Sequence, residues 1–222
     1  TAVECKAIPL MKADYIKSPK KIYQLSFEIV QKEANLSLFD STEAKIAMRV
    51  IHASGMPEIC NDLKFSSTAA KEAINALSQK ANIICDCNMV KSGISIPDGD
   101  KDRVYCFLDH PDVLNIADNE QTTRSAAQVK LWREYQGGAV IVIGNAPTAL
   151  FKLIEEITLG APMPAAVLGF PVGFVGASES KALLTQAQFK IPHITLLGRR
   201  GGSAMAAAAL NALMRISLGH DQ

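Results

Sequence analysis

Residues 139–147 read AVIVIGNAP, an unbroken apolar run that stops on Gly144 and leads into a proline suited to a first helical turn. Two later segments repeat this plan, AAVL before GFPVG at 165–173 and ITLL before GRRG at 194–201. Short apolar runs of this kind are typical of parallel strands that are buried on both faces. Helical sequence follows each loop, so we expect these three strand-end loops to gather at the carboxyl ends of the strands, where open α/β sheets bind ligands.

The rest of the chain alternates in the same way. Further strands are predicted at 82–86 and 103–108, and helical patterns of 10–15 residues separate the predicted strands. We therefore predict an α/β fold, in which residues 1–222 form a single domain with a mostly parallel, doubly wound sheet of about five strands flanked by helices. A capping box at Asp40 and Glu43 predicts the start of one helix, and Gly55 predicts its end.

The composition of the chain argues against several classes of binding partner. The 222 residues are 48% hydrophobic and 20% charged, with a net charge of +1, so no broad basic field exists to attract nucleic acid or anionic lipid. No apolar stretch of about 18 residues predicts a membrane span, and the first residues show no secretory signal. The five cysteines form no Cys-x-x-Cys pair, which favours buried reduced thiols in a cytoplasmic protein and predicts no metal site.

One histidine stands out as a candidate acid. His52 falls in the last turn of the helix that Asp40 opens, where the helix dipole favours a cation. Arg49 lies three residues earlier and so on the same side. An arginine that binds a carboxylate beside a histidine that donates a proton would suit a polyanionic substrate. Histidine is also an ordinary residue at helix ends, so both interpretations stay open.

The first predicted helix, residues 19–33, carries a serine on its apolar face. Ser26 shares that face with Ile22, Ile29 and Val30, and we expect it to point inward. Its hydroxyl can simply bond to the carbonyl of the preceding turn, so position alone assigns it no function.

The strand-end loops predict a site for a large anion. Arg199 and the backbone N–H groups around Gly201 precede a helix, which favours an anion there, and Gly173 and Gly176 lie in the neighbouring loop. Neither G-x-G-x-x-G nor a phosphate loop is present. A structural turn explains any one of these loops, but three at one edge favour a ligand.

Two further polar residues lie near helix starts. Asn145 follows a strand end and is predicted to cap the next helix or to donate to a ligand. Arg124 begins a helix that we expect to run to Tyr135, and a cation at a helix start opposes the dipole, so it is predicted to have a partner outside that helix.

At these residues the chain resembles a known family. The motifs RVIHASG (49–55), RSAA (124–127), VIGNAPTALF (142–151), GFPVGFVGASESK (169–181) and GRRGGSAMAAAALNAL (198–213) resemble those of precorrin-8X methylmutases, which include cobalt-precorrin-8 methylmutases. The resemblance starts at SFEIVQKE, from Ser26, and spans nearly the whole chain.

The resemblance implies an isomerase that moves a methyl group from ring carbon eleven to carbon twelve of a corrin precursor. It implies a homodimer with the site near the subunit interface, a corrinoid substrate with several carboxylates, and no cofactor or metal. His52 matches the family histidine that is proposed to transfer the proton. Arg49 matches the arginine of the same motif, and Ser26 and Arg124 match residues that look like substrate contacts.

Two other functions stay open at this point. A tetrapyrrole carrier would bind the product without doing chemistry, and a nucleotide-binding enzyme would use the same strand ends.

Overall fold

The sheet of the computed structural model, which describes residues 14–220, has six strands in the described part of the chain. Their order is β1-β6-β5-β4-β2-β3, and β2 to β6 run parallel. The bounds are β1 Leu63–Phe65, β2 Ile83–Cys85, β3 Val104–Cys106, β4 Val140–Ile143, β5 Ala166–Gly169 and β6 His193–Leu196. The five predicted strands are confirmed. The sequence did not predict β1, a three-residue edge strand that pairs antiparallel with β6 and is too short to show a period.

Nine α-helices surround the sheet within the same residues. They are α1 Pro19–Glu33, α2 Ser41–Ser54, α3 Ala69–Ser78, α4 Asn88–Gly93, α5 Asp112–Asn119, α6 Arg124–Ala127, α7 Pro147–Thr158, α8 Ala177–Leu184 and α9 Ser203–Ser217. Short 3-10 helices lie at Leu36–Leu38, Pro57–Asn61, Asp98–Arg103, Gln128–Trp132 and Ala187–Phe189. The start of the chain, where the sequence predicts no secretory signal, lies outside the described residues.

The two faces of the sheet are buried in separate cores. Val140, Val142 and Leu168 join a cluster with buried residues of α2, α3 and α9. Ile141, Ile143 and Val167 point the other way, into a cluster with α7 and Trp132. Because helices cover both faces, every residue of β4, β5 and β6 is buried, which explains the continuous apolar runs in the sequence.

Helix α2 begins and ends where its sequence predicts. The Asp40 carboxylate accepts hydrogen bonds from the N–H groups of Thr42 and Glu43, and the Glu43 carboxylate accepts one from the Asp40 N–H. Gly55 ends the helix with φ +69°, a conformation that favours glycine. These caps place His52 in the last turn of the helix.

The helix predicted from Arg124 to Tyr135 is wrong in its second half. After Ala127 the chain tightens into the 3-10 helix Gln128–Trp132. In that conformation the buried Gln128 side chain donates to the Asp86 carbonyl at 2.7 Å, and the Trp132 ring is fully buried. Tertiary packing has overridden the local preference for an α-helix.

Candidate active site

The three strand-end loops lie together at the carboxyl edge of the sheet. The Gly202 N–H donates to the Phe170 carbonyl at 2.8 Å, and the Gly173 N–H donates to the Arg199 carbonyl at 3.2 Å. The Val172 N–H lies 3.4 Å from the Asn145 carbonyl, so the loop after β4 is joined to the other two. At Gly201 a Cβ atom would lie 2.4 Å from the Phe170 carbonyl oxygen, so only glycine allows this approach.

A buried aspartate that the sequence did not single out organises the first of these loops. Asp86 follows β2 and is fully buried, and its carboxylate accepts hydrogen bonds from the N–H groups of Gly144, Asn145 and Ala146 at 2.8–2.9 Å. Burial raises the pKa of this carboxyl, and the three hydrogen bonds oppose that shift. These N–H groups therefore hold an internal anion and do not face a ligand.

Asn145 consequently has a different place from the predicted one. The residue at the N-cap of α7 is Ala146, with no side-chain cap, and Pro147 opens the helix. The prediction that Asn145 caps this helix is wrong, because the Asp86 carboxylate already binds the local N–H groups. The Asn145 side chain stays a candidate ligand donor, and the residue is exposed.

The two arginines of the third loop have different surroundings. The Arg200 guanidinium is fixed by Glu58 at 2.8 Å and Asp62 at 2.9 Å. The Arg199 guanidinium lies over the ring of Phe174, with its Cζ 5.5 Å from the ring centroid. Phe174 is 84% exposed, so Arg199 lies at an open surface where it can meet a ligand.

Glycines shape the loop that carries Phe174. Gly173 and Gly176 have φ values of +141° and +79°, in the region that favours glycine, and Gly176 is the N-cap residue of α8. The exposed residues between them, which include Phe174, are therefore flanked on both sides by turns that require glycine.

His52 and Arg49 meet on one aromatic ring of α1. The Phe27 ring stacks on the exposed His52 imidazole, with centroids 5.1 Å apart and planes at 21°. The Arg49 Cζ lies 4.7 Å from the Phe27 centroid and 5.1 Å from that of Tyr23. Cation–π contacts of this kind contribute about 0.5–1 kcal/mol at exposed sites. Two aromatic residues of α1 thus set the position of the predicted acid and its neighbouring cation.

Beside this pair, α1, α2 and α9 enclose a cleft of about 480 Å³. Arg49 lines it together with Tyr23, Phe27, Lys45 and Arg215. Ser26 of α1, which was predicted to point inward, is half-buried. Of its predicted apolar companions, Val30 is buried in the core as expected, whereas Ile22 and Ile29 are 46% and 53% exposed, so the expectation is wrong for those two.

The end of α2 is connected to the strand-end loops. The helix stops at Ser54, and the 3-10 helix Pro57–Asn61 that follows carries Glu58 to the Arg200 guanidinium. This ion pair links the segment after His52 to the loop that carries Arg199.

Arg124 has a partner within its own chain. Its guanidinium donates to the Asp109 carboxylate at 2.8 Å and to the Leu108 carbonyl at 3.0 Å, both beyond the end of β3. Asn88 donates to the other Asp109 oxygen at 2.6 Å. The partner predicted from the helix dipole is thus an aspartate at the same sheet edge, while the Arg124 side chain stays 49% exposed.

A comparison with protein-family models identifies the chain. Residues 21–216 match the family model described as precorrin-8X methylmutase. The chain belongs to the precorrin-8X methylmutase family. It is an enzyme of that family, an intramolecular isomerase.

Relatives and solved structures agree with this assignment. A precorrin-8X methylmutase of Pseudomonas aeruginosa is 48% identical over 203 residues, which cover 90% of this chain and 97% of the relative. A cobalt-precorrin-8 methylmutase of Methanocaldococcus jannaschii is 38% identical, covering 79% of this chain and 80% of its own length. The crystal structure of the precorrin-8X methylmutase from Thermus thermophilus superposes with a TM-score of 0.80 at 36% identity, covering 91% of this chain and 98% of that one.

Metal-ligand clusters, thiols and long apolar helices would each indicate another class of site in the described part of the chain. Residues 14–220 contain no cluster of three or more His, Cys, Asp or Glu side chains that could hold a metal ion. Cys60, Cys85, Cys87 and Cys106 are free thiols, and burial raises the pKa of the Cys85 thiol well above its usual range. Among the same residues, no helix is both long and apolar enough to span a bilayer.

Several residues around the candidate site were not predicted from the sequence. Tyr23, Phe27, Asp86 and Asp109 each contact a predicted residue from another part of the chain, and Lys181 contacts Arg200, the neighbour of Arg199. A charged residue at the end of the buried run ICD, residues 84–86, was the one local signal for Asp86.

Proposed function

We propose that this chain moves a methyl group from ring carbon eleven to carbon twelve of precorrin-8 or its cobalt form. The product is hydrogenobyrinic or cobyrinic acid, in cobalamin biosynthesis. The observation that carries the proposal is the His52 imidazole stacked on Phe27 with the Arg49 guanidinium over the same ring, in a chain of this family. An acid next to a fixed cation suits a substrate with many carboxylate arms.

His52 is the proposed acid. A suprafacial 1,5 shift around a conjugated ring is thermally allowed, so the enzyme has to hold the macrocycle and bias its electrons. A proton given by His52 to a ring nitrogen makes the adjacent carbon electron-poor and draws the methyl group across, and the proton returns to His52 once the methyl group has moved. General acid assistance of this kind contributes about 10²–10⁴-fold in rate. The exposed side chain of His52, held by stacking on one face, supports this role.

The remaining site residues are proposed substrate contacts. Arg49, Arg124 and Arg199 bind carboxylate arms, since a guanidinium matches a carboxylate in charge and geometry. Arg124 is already paired with Asp109, so it would share its donors between that carboxylate and a substrate arm. Neutral contacts are proposed for the side chains of Ser26 and Asn145 and for the backbone of Gly173, Gly176 and Gly201.

The chain is proposed to work as a homodimer in the cytoplasm, with the site near the interface. Exposed apolar side chains on α1 and at the loop tip support a covered surface: Ile22, Ile29, Phe174 and Val175. Among residues 14–220, the four cysteines are free thiols and three of them are buried, which supports a reducing compartment.

The central test is His52→Ala, assayed with metal-free and cobalt-loaded substrate by the absorbance change of the migration. We expect the variant to bind substrate as well as the parent and to lose at least 10²-fold in turnover. His110→Ala is the matched control, because His110 is an exposed histidine whose imidazole accepts a hydrogen bond from the Asp112 N–H at the start of α5 and contacts the Asp112 carboxylate. Unchanged turnover in His52→Ala would contradict the proposal.

The same assay separates the alternatives. A carrier would leave the substrate unchanged even with the parent protein. A nucleotide-binding enzyme would be stabilised against heat by NAD or ATP, and we expect no such shift.

A further inference from the structure

A buried lysine that plays no part in the proposed chemistry is bonded to the loop of Arg199. Lys181 lies in α8, five residues after Gly176, and is fully buried. Its ammonium Nζ donates to the Arg200 carbonyl oxygen at 2.6 Å. Fully buried lysines are rare, because an ammonium loses its hydration on burial.

We propose that Lys181 is a positioning residue for substrate binding. By holding the Arg199–Arg200 segment from inside the protein, it fixes the direction in which the Arg199 guanidinium meets a substrate carboxylate. This inference rests on the proposed role of Arg199 and extends it to a residue that does not touch substrate.

The surroundings of Lys181 show that its ammonium serves the loop and not an ion pair. Asp62 is near enough to favour the charged form, but its carboxylate accepts a hydrogen bond from the Arg200 guanidinium at 2.9 Å. Within residues 14–220, no carboxylate lies within ion-pair distance of the Lys181 ammonium. Burial lowers the pKa of Lys181 to about 8, which leaves it mostly protonated at neutral pH.

The Lys181 bond acts together with the other hydrogen bonds of this loop to set the orientation of the Arg199–Arg200 peptide. The Arg199 carbonyl accepts from Gly173, and the Gly202 N–H donates to Phe170. The Arg200 guanidinium is fixed by two carboxylates. The Arg199 guanidinium thus projects from a segment held at several points, and the Lys181 bond is the one made to the Arg200 peptide carbonyl by a buried charged side chain. Without it the Arg200 carbonyl loses its charged donor and the peptide can rotate.

The test compares Lys181→Met, Arg199→Ala and the double variant in the methyl-migration assay with precorrin-8X. Methionine is close to lysine in length but has no donor. We expect the KM of each single variant to rise roughly tenfold, as for loss of a charged hydrogen bond, with kcat within about twofold of the parent. The double variant should show no more than the effect of Arg199→Ala, because Lys181 acts through Arg199.

The outcomes separate this inference from the proposed function. If Arg199→Ala leaves KM unchanged, the proposed role of Arg199 fails. If Arg199→Ala raises KM while a folded Lys181→Met does not, the positioning role is overturned and Arg199 keeps its own. Lys71→Met, on the exposed face of α3, is the matched control and should leave KM unchanged.

A second variant covers the case in which Lys181→Met does not fold. Lys181→Gln has an uncharged donor on a side chain that is one atom shorter, so it weakens the bond and is expected to raise KM by about two- to fivefold, less than the roughly tenfold of complete loss. A merely structural role would lower the fraction of active protein, seen as a lower apparent kcat, and would leave KM alone. Unchanged KM in a folded Lys181→Gln, with Arg199→Ala impaired, would also overturn the proposal.

Discussion

At the scale of single residues, buried charged side chains hold the backbone of the strand-end loops, and the surface residues proposed to meet the substrate are exposed. Asp86 binds three backbone N–H groups after β4, and Lys181 binds one carbonyl after β6. Both are fully buried, whereas His52 is exposed and Arg199 lies over the exposed ring of Phe174. The division follows from physics, because a charge inside the protein needs a fixed partner, while one at the surface stays available for a ligand.

Replacing the buried aspartate should destabilise the protein strongly. Asp86→Ala leaves three N–H groups without an acceptor, two of them buried and that of Asn145 partly buried, and each buried group costs about 1–3 kcal/mol. We expect the free energy of unfolding to fall by at least about 3 kcal/mol, measured by urea denaturation. Asp118→Ala, an exposed aspartate of α5, should change it by less than about 0.5 kcal/mol. A loss below 1 kcal/mol in Asp86→Ala would show that water replaces the carboxylate.

Some of these site residues could be predicted from the sequence and others could not. His52 and Arg49 could be paired from helix spacing alone, since residues three apart share a side. Asp86 contacts groups 58–60 residues away, and Lys181 contacts one 19 residues away, so no local pattern shows either contact. The stacking of His52 on Phe27 depends on how α1 packs against α2, which spacing within either helix does not determine.

At the scale of elements, close packing between α9 and the sheet places the strand-end loops. The alanine-rich helix buries Ala206, Ala209 and Leu210 against the strands and α2. Gly144, at the end of β4, makes room for its first turn. A Cβ there would lie 2.8 Å from the Ser203 Cα and 2.9 Å from the Ala206 Cβ.

Adding that methyl group should separate the two elements. Gly144→Ala is expected to lower the free energy of unfolding by about 1–3 kcal/mol, as in other overpacked cores. It should also raise KM, because α9 begins directly after the loop of Arg199. Gly99→Ala is the control, since a Cβ at Gly99 meets nothing within 4 Å. Thermal melts and the migration assay measure the two effects, and a Gly144→Ala variant as stable as its control would refute the packing argument.

Elements with a clear period were predictable, and those shaped by tertiary contacts were not. The caps of α2 and the five parallel strands follow from local sequence. The short strand β1 forms because it pairs with β6, and the 3-10 helix Gln128–Trp132 forms where Gln128 reaches Asp86. Both depend on partners far along the chain.

At the scale of the whole molecule, the buried ammonium of Lys181 couples stability to pH. The folded-state pKa of Lys181 is about 8, and the unfolded value is about 10.4. Below pH 8 both states hold the proton, so the folded state carries the full cost of the buried charge. Between these pH values the folded state loses its proton first, and the free energy of unfolding rises with pH.

The quantity to measure is the difference in the free energy of unfolding between the parent and Lys181→Met, since the other titrating groups are common to both. Urea unfolding at pH 7 and pH 10 should show the parent gaining up to about 3 kcal/mol relative to the variant. If the parent gains no free energy of unfolding relative to the variant between pH 7 and pH 10, the pKa of Lys181 is not lowered in the folded protein.

The capture of three consecutive N–H groups by Asp86 has a consequence for redesign. At that corner of the sheet three main-chain N–H groups are already bonded, so a ligand there has to be recognised through side chains, and Asn145 is the proposed one. If that proposal holds, substitution of Asn145 changes ligand preference without removing the bonds that hold the loop.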